Sequence, residues 1–174
     1  VQVSIFSNGD EVELIQNGTS VGKLTSGTRL AAELPHSFLF DLTYLPGTLE
    51  AVSYKDGKEI SRDTLVTTGP AKELRLIQEK KELSANGHEV AYVRVEIVDE
   101  NGIVVPDAAL RLSAAVEGVG SLAAFGSSNP ITDENYTSGT FTSYHGTATA
   151  IIRSGYQTGM CTLTVGCEGL DEKK

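Results

Sequence analysis

Three pairs of neighbouring acids, one serine–histidine neighbourhood, two cysteines and one run of aromatics are the parts of this sequence able to do chemistry. Glu11 and Glu13 are two residues apart on an alternating stretch, so both carboxyls face the same side of a strand. Two carboxyls can divide acid and base roles when their surroundings push their pKa values apart. Here Val12 and Leu14 alternate cleanly with them, which reads as the wet face of a strand. Asp99-Glu100-Asn101-Gly102 offers oxygen ligands, but a calcium loop wants acids at alternate positions over about twelve residues. It reads as a turn. Asp133-Glu134 lies in a polar run, where pairing would need a third group to move a proton affinity. Ser143 and His145 are close in sequence, yet no G-x-S-x-G elbow surrounds any serine. Catalysis by this chain itself is not expected, and neither a cofactor nor a metal is implied.

The aromatic run offers a different chemistry. Sugar sites want exposed rings for CH groups to stack on, with amides or carboxylates beside them for the hydroxyls. Tyr136, Phe141, Tyr144 and His145 cluster in sequence, with Asn129, Asp133, Glu134 and Asn135 adjacent. We take Asn129, Asp133, Tyr136, Phe141, Tyr144 and His145 as candidate contacts to a ligand or to another domain. The chain has no tryptophan, which weakens the sugar reading. Cys161 and Cys167 are the only cysteines. On one extended strand, six steps of ~3.3 Å set them ~20 Å apart, whereas a disulfide needs Cα atoms within ~7 Å. They are expected to stay free, and with three scattered histidines they form no zinc pattern.

The elements that position these residues are strands. In the stretch 91–130, Ala91, Val93, Val95 and Ile97 alternate with Tyr92, Arg94 and Glu96, the signature of a strand with one buried face. Asn101-Gly102 reverses the chain. Leu110, Leu112, Ala114 and Val116 alternate again, and Gly118 and Gly120 break that strand before Ser121–Phe125. Upstream, Val1–Ile5, Val12–Leu14, Thr19–Leu24, Phe38–Tyr44, Leu49–Tyr54 and Lys58–Thr67 read as six or seven short strands. Asn8-Gly9, Asn17-Gly18, Pro46-Gly47 and Asp56-Gly57 separate them. Residues 27–37 are irregular, and Pro35 argues against a central strand there. Leu74 and Leu76 open a further strand. After Pro130 comes a long polar run, followed by strands over Gly146–Arg153 and Met160–Val165 and a tail from about 168 read as frayed.

Composition fits this reading. Eighteen glycines among 174 residues, 40% apolar and 21% charged, describe a globular all-β chain. A net charge of −9 argues against nucleic acid, which wants a basic surface. No apolar run reaches the ~20 residues of a bilayer-spanning helix. The fold class is all-β: two tandem Ig-like or fibronectin-like antiparallel sandwiches. The Gly-Pro punctuator after Thr67-Thr68 divides them into residues 1–69 and 70–174.

Five runs carry a resemblance. Asp10–Lys23 (DEVELIQNGTSVGK) and Tyr44–Ile60 (YLPGTLEAVSYKDGKEI) resemble the domain that follows the catalytic barrel in bacterial β-galactosidases of glycoside hydrolase family 2. Val93–Ala108, Val116–Pro130 and Ala148–Ser154 resemble the next Ig-like domain of those enzymes, in the same order. Where that family often has G-N-G-N-P, this chain has Gly126-Ser127-Ser128-Asn129-Pro130. The resemblance implies a non-catalytic C-terminal portion that braces an upstream TIM barrel in the same polypeptide. The parent would be a retaining glycosidase with its two glutamates on that barrel. It also implies a bacterial source and a periplasmic or extracellular setting. Carbohydrate binding through residues 126–145 is the alternative. Nucleic acid and membrane are not expected as partners, and no oligomeric state follows.

Overall fold

The computed structural model describes residues 1–26 and 36–174; the irregular segment expected over 27–37 lies outside these, save its last two residues. The described residues form fourteen strands and divide into two compact units, Val1–Thr67 and Thr68–Lys174. The all-β, antiparallel sandwich expectation holds.

The first unit has a four-stranded sheet in the order β3-β2-β5-β6 and a two-stranded sheet β1-β4. The strands are β1 (Gln2–Phe6), β2 (Glu11–Gln16), β3 (Thr19–Thr25), β4 (Ser37–Asp41), β5 (Thr48–Lys55) and β6 (Lys58–Val66). Two hairpins close on Asn17-Gly18 (φ 50° and 78°) and Asp56-Gly57 (φ 50° and 73°). Both central residues of each turn are left-handed, the type I′ geometry whose twist matches a hairpin. Val12 and Leu14 bury against Phe38 and Phe40, which is why β2 alternates. The strand expected to run to Tyr44 stops at Asp41. Its partner runs out there: Leu42 N donates to Val1 O (3.0 Å), and Tyr44 turns away to pair its hydroxyl with Thr67 Oγ1 (3.0 Å).

The second unit is two sheets face to face, β10-β12-β8-β7 and β11-β9-β13-β14. The strands are β7 (Glu73–Gln78), β8 (Val90–Val98), β9 (Arg111–Gly118), β10 (Ser121–Gly126), β11 (Thr140–Thr142), β12 (Thr147–Arg153), β13 (Cys161–Cys167) and β14 (Leu170–Lys173). Val93, Val95 and Ile97 of β8 and Ala148, Ala150 and Ile152 of β12 meet Leu112, Phe141, Leu163 and Val165 of the other sheet, with Phe125 between. Both phenyl rings are fully buried. The stretch 91–130 is three strands, as its pattern indicates. One outward residue differs: Glu96 is buried, because Arg75 Nε (2.8 Å) and Arg94 Nε (2.9 Å) close over its carboxylate.

Two further expectations need correction. The tail is not frayed. Gly169 (φ 86°) turns the chain, Leu170 packs on the core, and β14 pairs with β13, with Lys173 Nζ 3.0 Å from Glu73. The polar run after Pro130 also contains a strand, β11, pairing Phe141 with Leu112. Three residues are too few to show a period.

Asp99 anchors the entry to this unit. It is 1% exposed. Its Oδ1 accepts from the backbone N–H of Asn101 and Ile103 (both 2.9 Å), and Oδ2 accepts from Gly69 N (2.9 Å). Of the expected Asn-Gly turn only Gly102 is left-handed (φ 74°), so a type I turn followed by a glycine bulge closes this hairpin. The Gly69 amide first, then Ile103 and Asn101, hold the Asp99 carboxyl below the usual carboxylate range against the opposing pull of burial.

Two outcomes follow. Phe125→Ala should destabilise the second unit by about 3–5 kcal/mol, and Ile131→Ala, at an 86% exposed site, by no more than ~0.5 kcal/mol, read from urea midpoints. A folded pKa below the unfolded value near ~3.9 gives Asp99 a stabilising contribution that is complete above that pH and lost as pH falls through the folded value. Asp99→Asn should therefore lower the melting temperature at pH 7, with the gap to wild type closing in acid. A gap that stays constant from neutral pH to below the carboxylate range would refute the assignment.

Candidate functional site

The candidate residues hang on the loop between β10 and β12, at the end of the second unit where β7 begins. Its organising residue is Glu134. Oε1 accepts from Thr142 Oγ1 (3.1 Å) and from Thr142 N (3.1 Å), and Arg111 Nη1 closes an ion pair on the same oxygen. Arg111 Nη2 also donates to Thr140 Oγ1 (2.8 Å), and Glu134 N donates to Thr132 Oγ1 (3.2 Å). One carboxylate thus ties the loop to β9 and β11. Its neighbours are caps: Asn129 Oδ1 accepts from Ile131 N (3.0 Å), and Asn135 Oδ1 from Thr137 N and Oγ1 (both 2.9 Å). Asparagine side chains mimic a backbone turn in this way.

The aromatic cluster separates into three roles. Phe141 is wholly core, so it cannot touch a ligand; its place opposite Leu112 in the sandwich takes it inside. Tyr136 lies on it, ring centroids 4.7 Å apart and planes at 29°, and keeps 45% of its surface exposed. The ring can lie down only because residue 126 is glycine: a Cβ there would sit 2.2 Å from Tyr136 Cδ1. Tyr144 and His145 pair with each other, edge to face at 4.1 Å. His145 (φ 49°) and Gly146 (φ 69°) form the turn into β12, with Tyr144 and Thr147 bonded across it. Asn129, Asp133 and Tyr136 share the outer loop. Asp133 is exposed, and Ile131 beside it is the most exposed large apolar residue described.

No proton relay is assembled here. The Ser143 hydroxyl is buried, accepts from Leu110 N (2.9 Å) and donates to Ala108 O (2.7 Å), so His145 has nothing to activate. Elsewhere Glu11 and Glu13 share the outer face of β2, with Lys23 Nζ 2.9 Å from Glu11 and 3.8 Å from Glu13. A hydrogen bond from Ser20 first, with Tyr54 and Lys23, holds the Glu13 carboxyl down. Hydrogen bonds from Ser84, then Lys80, lower Glu89 to about 2. With Asp99, these shifted carboxyls are all fixed as anions, the opposite of a general acid raised towards neutrality. Cys161 and Cys167 are free thiols at the two ends of β13, and burial pushes Cys167 up, away from thiolate reactivity. Among the described residues no three His, Cys, Asp or Glu side chains converge as a metal site.

Sequence reasoning passed over Glu134 as a hub, with Arg111 and Thr142. Only opposite charge links Glu134 to Arg111 in the sequence, and 23 residues separate them. It also gave no warning about Ser127, whose Oγ is buried without a hydrogen-bond partner at the second position of the Gly126–Pro130 segment.

Residues 74–174 match the glycoside hydrolase family 2 C-terminal domain 5, and residues 1–61 match a domain of unknown function, DUF4982. The chain is 29% identical over 165 residues, 95% of its length, to a β-galactosidase, BoGH2A, of Bacteroides ovatus. It is 33% identical over 141 residues, 75% of its length, to a β-galactosidase of Thermoanaerobacter pseudethanolicus. It covers 19% of each, so it spans about a fifth of the curated relatives it matches. Among solved structures, a glycosyl hydrolase family 2 member from Bacteroides cellulosilyticus superposes with a TM-score of 0.93 at 29% identity, over 99% of this chain and 23% of that one. A β-glycosidase from Bacteroides vulgatus gives 0.88 at 28% identity, over 99% of this chain and 22% of that one. The first of these matches takes in more than half of the sequence: the chain belongs to the glycoside hydrolase family 2 C-terminal domain family.

Proposed function

We propose that this chain is the non-catalytic C-terminal portion of a longer, retaining glycosidase of the β-galactosidase type. Its two modules, 1–69 and 70–174, brace a catalytic barrel lying upstream in the same polypeptide. The 127–146 loop is the surface that meets the barrel. The observation that carries this reading is the Glu134 network. A loop that contributes only Phe141 to the core is nevertheless tied, through one carboxylate, to β9 and β11. It holds Ile131 and one face of Tyr136 towards solvent. Such a surface is built to bury apolar area on a partner, at roughly 25 cal/mol per Å². A sugar-stacking role for this loop is less favoured, because Phe141 is inside and Tyr136 already spends one ring face on it.

Two measurements test this. The 174-residue chain should not hydrolyse an aryl β-galactoside; saturable turnover that copurifies with it would overturn the accessory role. In the natural full-length product, Ile131→Asp should shorten the half-life of activity at elevated temperature several-fold, yet leave the melting temperature of the isolated chain within about 2 °C of wild type. An unchanged half-life would remove this loop as the docking surface.

A further inference from the structure

The first unit is a sandwich with one layer unfinished. Four strands, β3-β2-β5-β6, face only two, β1 and β4. Phe38 and Phe40 of β4 cover Val12 and Leu14, and Val3 and Ile5 of β1 pack beside them. β6 is left without cover: all nine of its residues are exposed. Its register with β5 puts Ser61, Asp63 and Leu65 opposite Ser53, Ala51 and Leu49, on the face that Val12 and Leu14 share. Between β1 and this bare face runs a groove of about 380 Å³, bordered by Ile5, Leu49, Ala51, Asp63 and Leu65.

The edge of β1 along the groove is open. Val1 exchanges both backbone hydrogen bonds with Leu42 (2.6 and 3.0 Å), and Ser7 N donates to His36 O (2.9 Å). Such pairs alternate along an antiparallel ladder, so Val3 and Ile5 also bond to β4. Gln2, Ser4 and Phe6 turn their N–H and C=O groups the other way. Among the described residues no strand pairs with them. Ser4 and Phe6 line the groove although the inward side-chain positions belong to Val3 and Ile5, so the groove meets their backbone. A row of unpaired donors and acceptors beside an uncovered apolar face is a template for one more strand.

The geometry also selects the occupant. A second copy cannot use this edge. Pairing two β1 edges about a two-fold axis would drive the β5–β6 layer of one copy into that of the other, because each layer overhangs its own β1. A single extended segment has no such layer. Asp63 stands in the groove with no ion-pair partner among the described residues, while Arg62 beside it is engaged by Glu50 and Glu59. The face therefore suits apolar side chains over Leu49, Ala51 and Leu65 and one basic side chain over Asp63. This chain covers 19% of each β-galactosidase it matches, so polypeptides of that kind hold ample chain outside it.

We propose that this groove receives one extended segment of the parent polypeptide from outside residues 1–174, added to β1 as the third strand of its sheet. That source rests on the accessory role proposed above. The test is residue-resolved hydrogen exchange on the isolated 174-residue chain and on the natural full-length product. In the isolated chain the Ser4 and Phe6 amides should exchange as fast as unstructured peptide, with Val3 and Ile5 protected. In the natural product Ser4 and Phe6 should slow about tenfold or more. Leu65→Asp should restore the fast rate there. Leu65 is 65% exposed, so this variant of the isolated chain should melt within about 2 °C of wild type. Ser4 and Phe6 amides as fast in the natural product as in the isolated chain, or still slow in its Leu65→Asp variant, would overturn the added strand. The accessory role, read from the Ile131→Asp half-life, would then stand. A natural product no longer than this chain would overturn both. Protection that appears in the isolated chain and grows with its concentration would assign the edge to a second copy and sink the proposal.

Discussion

One buried carboxylate sets the geometry of the second unit at the end where the chain enters. Asp99 receives three backbone N–H groups, from Gly69, Asn101 and Ile103, and so fixes the approach to β7 and the hairpin after β8 together. The consequences run onward. The hairpin carries Val104 and Val105 back along β8, where Val98 bridges Val104 and Val105 N bonds Ile97 O (2.9 Å). Gly146 then sits so close that a Cβ would lie 2.3 Å from Val105 O. The turn that starts β12 therefore rests on the turn that ends β8. An anion satisfied by backbone donors is costly to replace, since any neutral residue leaves buried amides unpaired.

Much of this was legible in the sequence, and for identifiable reasons. The alternation in Glu11–Gln16 and Ala91–Val98 reports one buried face, and the structure buries that face. Asn17-Gly18 and Asp56-Gly57 are hairpin turns because both residues of each pair tolerate left-handed backbone. What was not legible depended on partners distant in sequence. Glu96 reads as outward and is outward, yet two arginines bury it. The last residues read as polar tail, but Gly169 folds them onto the edge of β13. His145-Gly146 is a third turn of the same kind, hidden because histidine is not one of the residues that dominate turns.

The candidate loop shows how a polar segment can be stiff. Its asparagines cap turns, its glutamate binds two threonine groups and an arginine, and its tyrosine lies on a core phenylalanine. The residues that looked chemically promising are mostly spoken for: Ser143 by Leu110 and Ala108, Asp99 by three amides, Glu13 by Ser20, Tyr54 and Lys23. On this loop, Ile131 and one face of Tyr136 are left without such duties.

The order of strands also gives the two units pairings of different range. In the first unit, β2–β3 and β5–β6 pair across two-residue turns, so two of the three pairings of its four-stranded sheet form between neighbours in sequence. In the second, β8 pairs with β12, where Glu96 meets Thr147, and β9 pairs with β13, where Leu112 meets Cys167. Those ladders close only after long loops are brought together, at an entropic cost that local hairpins avoid. A chain leaving the ribosome would thus pair β7 with β8 yet leave their inner faces uncovered until the last forty residues arrive. The sheet order thus leaves the pairings that close the second unit to its C-terminal third.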